Sequence, residues 1–141
     1  MQTRASSEQI RRVTQAEADA ICARHERLWK ARPGGARAVF TRLDLSGLDL
    51  SGRTLTDADF TGAVLVGCNL AGTRLDNANF FGADLREADL SDASLRRTDL
   101  RGACLRGANL SGADLFEADL REGALAAADS SGGFRVIKPD G

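Results

Sequence analysis

Chemistry near neutral pH needs titratable groups held beside partners, and this sequence offers few. Its single histidine, His25, has no second histidine with which to share a metal ion or a proton, and there is no tyrosine. His25 falls on the apolar side of a helical pattern beside Trp29, so a structural role is expected for it. The three cysteines, Cys22, Cys68 and Cys104, are too widely spaced for a CxxC pair or a zinc ligand set. Cys68 is expected to be a small buried hydrophobe. Cys104 is expected to face outward and to meet thiol reagents, with no neighbouring cysteine for a redox role. Carboxylates are plentiful, 20 Asp plus Glu against 19 Lys plus Arg, and paired carboxylates are the raw material of acid–base dyads. Here they recur at a fixed interval as part of a repeat, and a convex repeat surface offers no pocket to raise a carboxyl pKa. No catalytic residue, cofactor-binding residue or metal ligand is assigned, no cofactor is expected, and the chain is not expected to be an enzyme.

The elements that carry these residues follow from the repeat. From Phe40 to Leu125 every fifth residue is Leu or Phe, over 18 consecutive positions with no slip. Two residues before this centre, Ala holds 11 of the 18 positions, from Ala38 to Ala118. One residue before it, Asp or Asn dominates, as at Asp84, Asp89, Asn109 and Asp114. Two residues after it fall nine of the 15 glycines, from Gly47 to Gly112. A period of five fits no regular element. A helix would rotate the Leu stripe by about 140° at each step, and a flat strand would send alternate Leu to opposite faces. The pattern works if the chain turns a corner in every five residues. The centre and the small residue two before it then point inward, as i and i+2 do on a strand. The Asp or Asn between them points outward, and Gly, Asp or Asn after the centre suits the corner. Stacked coils of this kind make a parallel β solenoid.

The strings AVFTR, ADFTG, ANFFG, ADLRE, ADLSD, ANLSG and ADLFE resemble the pentapeptide-repeat proteins, over about 90 residues of the chain. The resemblance implies a right-handed quadrilateral parallel β-helix with four pentapeptides per coil. Phe40, Phe60 and Phe80 lie 20 residues apart and support a four-sided coil independently, since such a coil stacks them on one face and a three-sided coil scatters them. Eighteen pentapeptides make four and a half coils, a column roughly 20 Å tall at strand spacing.

The solenoid is assigned to residues 38–127, preceded by an N-terminal helical cap at 1–37 and followed by a C-terminal tail or cap at 128–141. Coil ends need covering, because each coil buries its centres only against its neighbours and open strand edges invite aggregation. A helix is expected over 7–31. Thr14 and Glu17 form a capping-box pattern, and a second start lies at Ser6 or Ser7. Ala18, Ile21, Cys22, His25, Leu28 and Trp29 share one helical face. The helix should stop before Pro33, with Gly34–Gly35 supplying the bend. Leu43 and Leu48 stand where Ala is usual and are expected to fill the mouth of the column. Arg53 breaks the small-inward rule, so either the chain bulges there or Arg53 escapes toward the mouth or the cap. Beyond Leu125, Ala124 and Ala126–Ala128 suggest a short helical turn. Phe134, Val136 and Ile137 suggest a strand that covers the last coil or pairs with another chain. Related pentapeptide proteins often dimerise through their C-terminal ends, and the resemblance implies a homodimer here through that end.

Charge and exposed apolar residues bear on function. Residues 1–37 are net basic and residues 38–127 mildly acidic, with nine Arg against 14 Asp or Glu in the latter. The N-terminus carries no secretory signal, no apolar run is long enough to span a membrane, and the expected compartment is the cytoplasm. The expected function is a non-catalytic protein–protein interaction module or scaffold that displays ladders of side chains. The alternative, implied by the resemblance to quinolone-resistance pentapeptide proteins, is a DNA mimic that binds DNA gyrase or another topoisomerase. Arg86, Arg96, Arg97, Arg101, Arg106 and Arg121 interrupt the acidity that the alternative needs. Val64, Val66 and Phe81 fall outside the inward register. In a 20-residue coil Asp84 stacks over Val64, Arg86 over Val66 and Arg101 over Phe81, near the corner that joins two faces. Val64, Val66, Phe81, Arg86, Arg101 and Arg106 are the candidate contact to a protein partner, and Phe116 is a further isolated candidate. Direct binding of nucleic acid or membrane is not expected.

Overall fold

A computed structural model describes residues 10–122, 125–128 and 134–137. Within it the pentapeptide is a strand residue pair followed by a tight turn. The N–H three residues after the centre returns to the centre's carbonyl at every described turn from Phe40 to Leu115 except that of Leu50, as from Cys68 to Leu65 at 3.1 Å. The residue two after the centre has positive φ at every corner from Arg42 to Glu122. A closing bond with positive φ at the third residue is the signature of a type II turn. Nine of these corner residues are glycines and eight are not, so the turn is imposed by the repeat rather than by glycine alone.

The Asp or Asn before each centre does more than meet water. In eleven pentapeptides its Oδ1 accepts the N–H two residues on, at 2.8–3.2 Å, as from Asp44 to Ser46 and Asn79 to Phe81. This Asx bond satisfies a turn N–H that the coil geometry leaves without a backbone partner. At Asp89 the hydrogen bonds from Ser91 hold the carboxyl below its usual range.

Successive coils pair in parallel with an offset of 20 residues at every one of thirteen bridges, from Val39↔Asp59 to Asp99↔Asp119. Each interior pentapeptide donates upward twice, as Leu65 N–H to Asp84 O at 2.7 Å and Gly67 N–H to Arg86 O at 2.9 Å. It donates downward once, as Val64 N–H to Leu43 O at 2.9 Å. The column therefore has four faces. Face A carries Phe40, Phe60, Phe80, Leu100 and Leu120; face B carries Leu45, Leu65, Leu85 and Leu105; face C carries Leu50, Leu70, Leu90 and Leu110; face D carries Leu55, Leu75, Leu95 and Leu115. The three Phe rings stack as their spacing predicts, with centroids 4.8 and 4.7 Å apart and planes within 12°. Centres from Phe40 to Leu105 are buried together with the alanines two before them. Thr73 and Thr98 take alanine's place by donating their hydroxyls to Leu70 O and Leu95 O at 2.7 and 2.8 Å.

The N-terminal segment differs from a single long helix. The helix is α1, Gln15–Trp29, and Thr14 and Glu17 form its capping box. Residues 1–9, which hold the second start at Ser6 or Ser7, lie outside the described residues. Before α1 the chain is extended: β1, Arg11–Arg12, pairs in parallel with β2, Leu43–Asp44. Val13 follows as a buried member of the core and donates to Asp44 O at 3.2 Å, so the segment adds one rung beneath face B. Two residues are too short a run to show a period, which is why the sequence suggested helix there. On α1, Ala18, Cys22 and His25 are buried and Ile21 is partly buried, but Leu28 and Trp29 are half-exposed. The helix ends at Lys30 in a Schellman motif, with Arg32 N–H on Arg27 O and Ala31 N–H on Leu28 O. Ala31, at φ 53°, makes the left-handed step expected of Gly34–Gly35. Gly35 instead allows close approach, since a Cβ there would lie 2.6 Å from Leu28 Cα. Leu48 is buried at the mouth of the column and Leu43 packs against the core.

At the other end, residues 125–128 form β3, Leu125–Ala128, and not a helical turn. β3 pairs antiparallel with β4, Phe134–Ile137, in the register Leu125↔Ile137. Alanines after a β centre continue an extended chain once a partner strand lies alongside. The tail strand thus pairs with its own chain, while the SSGG link and Ala124 lie outside the described residues. Among the described residues no helix is long and apolar enough to cross a membrane.

Two outcomes follow. Leu85 is fully buried in the middle of the column, so Leu85→Ala should lower the free energy of unfolding by about 2–5 kcal/mol in a denaturant titration; a loss under about 0.5 kcal/mol would contradict its inward position. His25 is buried and neutral: Nδ1 accepts Ala38 N–H at 2.9 Å and Nε2–H donates to Thr56 O at 2.7 Å. Burial lowers its pKa below 6.5. The folded chain therefore takes up this proton at lower pH than the unfolded chain does. The stability it contributes is full above about pH 6.5 and is lost as pH falls through the lowered value. His25→Asn should cost about 1–3 kcal/mol near pH 7.5, and that difference should narrow toward about pH 5; a gap in melting temperature that is constant with pH would refute the assignment.

Candidate functional site

Face B and the two corners beside it hold all six candidate contact residues. Phe81 and Arg101 stand at the corner between faces A and B, one residue after their centres. Val64 lies on face B itself, and Val66, Arg86 and Arg106 stand at the corner between faces B and C. The set therefore spans a whole face, not the single corner that the sequence reading gave. Val64 bridges to Asp84, and the Arg101 guanidinium lies over the Phe81 ring at 5.4 Å, as the 20-residue stacking predicts. Val64 and Val66 are half-buried. Phe81, at 46% exposure, is the large apolar residue that this face presents to solvent.

The arginines lie down along the column instead of extending into water. Arg86, Arg101 and Arg121 each follow an aspartate by two residues and grip it with Nε and Nη2, at 2.9 and 2.7 Å for all three pairs. The carboxylates of Asp84, Asp99 and Asp119 are 26–31% exposed beneath guanidiniums that are 43–64% exposed. The outer layer is thus cationic and the anionic layer is recessed. The Arg121 guanidinium, helped by its own N–H, draws the Asp119 carboxyl down to about 2, so this pairing persists through the physiological range.

Phe116, a lone candidate by sequence, has two arginines against it. Arg96 lies over its ring at 4.6 Å and Arg97 at 5.7 Å. Arg96 also pairs with Asp114 at 2.8 Å and Arg97 with Glu117 at 3.0 Å. The same 20-residue offset that links Arg101 to Phe81 in reverse order links Arg96 to Phe116, so the signal was present in the sequence. Face C contrasts with the others. Its outward residues are small or acidic, such as Asp49, Ser51, Asn69 and Asp89, and it carries no arginine.

The groups that could do chemistry are committed elsewhere. Both ring nitrogens of His25 are hydrogen-bonded at the helix–column junction, with Trp29 Nε1–H also on Thr56 O at 3.1 Å. Burial pushes the Cys22 and Cys68 thiols up to about 12, which keeps them protonated. Cys104, at the outward position before Leu105, is partly exposed. Of the routes expected for Arg53, it takes the one toward the N-terminal helix. It reaches α1, pairing with Glu26 at 2.9 Å and Asp19 at 3.2 Å. It also lines an open cleft of about 360 Å³ with Gln15, Asp19, Asp49 and Ser51. Among the described residues no group of three or more His, Cys, Asp or Glu side chains is arranged to hold a metal ion.

Comparison with known proteins agrees with this architecture. The sequence model of pentapeptide repeats matches residues 54–92 and 93–129, in eight copies. No sequence among curated proteins matches. Among solved structures, a pentapeptide repeat protein from the thylakoid lumen of Arabidopsis thaliana is 41% identical, over 61% of this chain and 63% of that one, with a TM-score of 0.43. One from the cyanobacterium Cyanothece is 36% identical, over 60% and 61%, with a TM-score of 0.33. One from Nostoc is 31% identical, over 81% and 80%, with a TM-score of 0.47. The aligned part is thus about three-fifths of the length of the Arabidopsis and Cyanothece chains. With its repeat matched over more than half its length, the chain belongs to the pentapeptide-repeat family, a membership that implies the right-handed quadrilateral β-helix for its four-sided column.

Proposed function

We propose that the protein is a non-catalytic scaffold that presents columns of side chains to a protein partner, with Val64, Val66, Phe81, Arg86, Arg101 and Arg106 as the contact. The observation that carries this reading is Phe81, a large aromatic left half-exposed on a regular ladder with the Arg101 guanidinium over its ring. Aromatic residues and arginine are the types enriched where proteins meet, and a prepositioned pair loses little freedom on binding. The segment before β2 supports the same reading in another way: β1 and α1 engage the lower edge of the first coil and so act as its cap. The alternative of a topoisomerase-directed DNA mimic asks for an outward layer of carboxylates, and at Asp84 on face B and at Asp99 and Asp119 on face A the carboxylates lie under guanidiniums.

A second copy of the chain belongs to this reading as well, meeting the first through the C-terminal end. Leu110, Leu115 and Leu120 are only partly buried, whereas the centres before them are covered, and one two-fold contact would hide both ends at once.

Two measurements test these statements. The full chain, immobilised in native cell extract, should retain a protein that Phe81→Asp retains about tenfold less, a change of roughly 1.4 kcal/mol. Equal retention, or inhibition of gyrase supercoiling at low stoichiometry, would overturn the scaffold reading. Light scattering at high micromolar concentration should give twice the 15.0 kDa chain mass, and a monomer would remove the dimer.

A further inference from the structure

We infer that the partner segment received by face B is acidic, and that one of its carboxylates sits over Cys104 between Arg101 and Arg106. This rests on the scaffold reading above and adds the chemistry of the partner.

Five arginines occupy the position one after a centre: Arg86, Arg96, Arg101, Arg106 and Arg121. Four of them are paired with carboxylates, Arg86, Arg101 and Arg121 with the aspartate two residues before and Arg96 with Asp114. Arg106 is the exception. Its local sequence is Cys104-Leu105-Arg106 where Asp84-Leu85-Arg86 stands one coil below, and among the described residues it has no ion pair. The thiol that replaces the carboxylate is shorter and offers no oxygen acceptor. Two donor groups thus lack the acceptor that the repeat usually supplies: the Arg106 guanidinium and, among the described residues, the Arg106 backbone N–H. In the coil below, Asp84 takes both, with Oδ1 3.2 Å from Arg86 N and 2.9 Å from Nε.

A carboxylate from outside reproduces that pairing. It would lie in the line of Asp44, Val64, Asp84 and Cys104 along face B, flanked on the same coil by Arg101 at one corner and Arg106 at the other. Guanidinium and carboxylate meet fork to fork in such a pair. Phe81 and Val66 lie one and two coils below on the two corners, so the segment that brings the acid also meets an apolar contact. A protein segment fits better than a nucleic acid. Among the described residues only one guanidinium of the five lacks a carboxylate, and the column is net acidic, so a long polyanion would run from this spot onto rows of aspartate.

Cys104→Asp tests this without disturbing the fold, because aspartate is the residue that the repeat itself uses at that position. A photo-crosslinking phenylalanine analogue replaces Phe81 in the full chain, which is irradiated in native extract, and the attached peptides are sequenced by mass spectrometry. We expect peptides with an excess of Asp and Glu near the point of attachment. Cys104→Asp should lower the yield about tenfold with the melting temperature unchanged or raised, and Cys104→Ala should leave the yield within about twofold. If Cys104→Asp keeps the yield, if Cys104→Ala lowers it as far, if the peptides carry no acidic excess, or if nuclease abolishes the crosslink, the inference fails while a scaffold role on this face stands. Absence of any crosslinked protein would remove both.

Discussion

Every corner of this column demands a backbone conformation that L-residues avoid. The positive φ two residues after each centre recurs at 17 successive corners, and eight of them are occupied by residues other than glycine. A left-handed residue costs about 1–2 kcal/mol when it is not glycine, less for Asn and Asp. Arg42, Glu87, Arg97, Glu117 and Glu122 carry that cost in full, and Asp57, Asn77 and Asp92 in part. What offsets it is local and repeated: a closed turn, hydrogen bonds to adjacent coils and, at Glu87, Asp92, Glu117 and Glu122, an Asx bond from the residue before the centre. Because the same turn recurs at the same interval, the cross-section is square, the Phe and Leu columns are vertical, and outward residues 20 apart become neighbours.

The lower edge of the first coil shows how a periodic structure is brought to a stop. Strand edges expose N–H and C=O groups to any passing strand. Face B receives a real strand, β1. On face C the Gln15 side-chain amide stands in for a peptide, accepting Asp49 N–H and donating to Asp49 O, both at 2.8 Å. On face D, Glu26 accepts Thr54 N–H at 3.1 Å and His25 and Trp29 donate to Thr56 O. A helix cannot pair with a strand edge through its own backbone, whose bonds are already used, so its side chains do so. The neutrality of His25 follows from the same requirement, since an imidazolium could not accept Ala38 N–H.

Most of the column was legible in the sequence because it is written 18 times. Five-residue spacing, small and large inward positions and the Phe40–Phe60–Phe80 interval leave little choice of fold. What escaped is what occurs once. Arg11–Arg12–Val13 is a single rung and has no period. Leu28 and Trp29 fit the apolar stripe of α1, yet both are left half-exposed at the end of the helix. Arg53 was seen to be out of place, but its destination, Glu26 and Asp19, depends on where α1 docks. On face B the contact between Phe81 and Arg101 was legible because stacking is arithmetic. The layering of guanidinium over carboxylate was not, because residue order does not show that a long side chain folds back on its neighbour.

The 20-residue offset has a consequence for how such a gene can change length. Loss or gain of one pentapeptide leaves the inward pattern intact, because every face accepts the same Leu and Ala. It nevertheless turns everything downstream by a quarter of the circumference. Where the change falls between Phe81 and Arg101, or between Arg96 and Phe116, the pair that it separates no longer stacks, although each coil would still close. Only insertions and deletions of four pentapeptides preserve the outer pattern. Selection acting on the fold alone would tolerate length changes in steps of five, whereas selection acting on the surface would confine them to steps of 20.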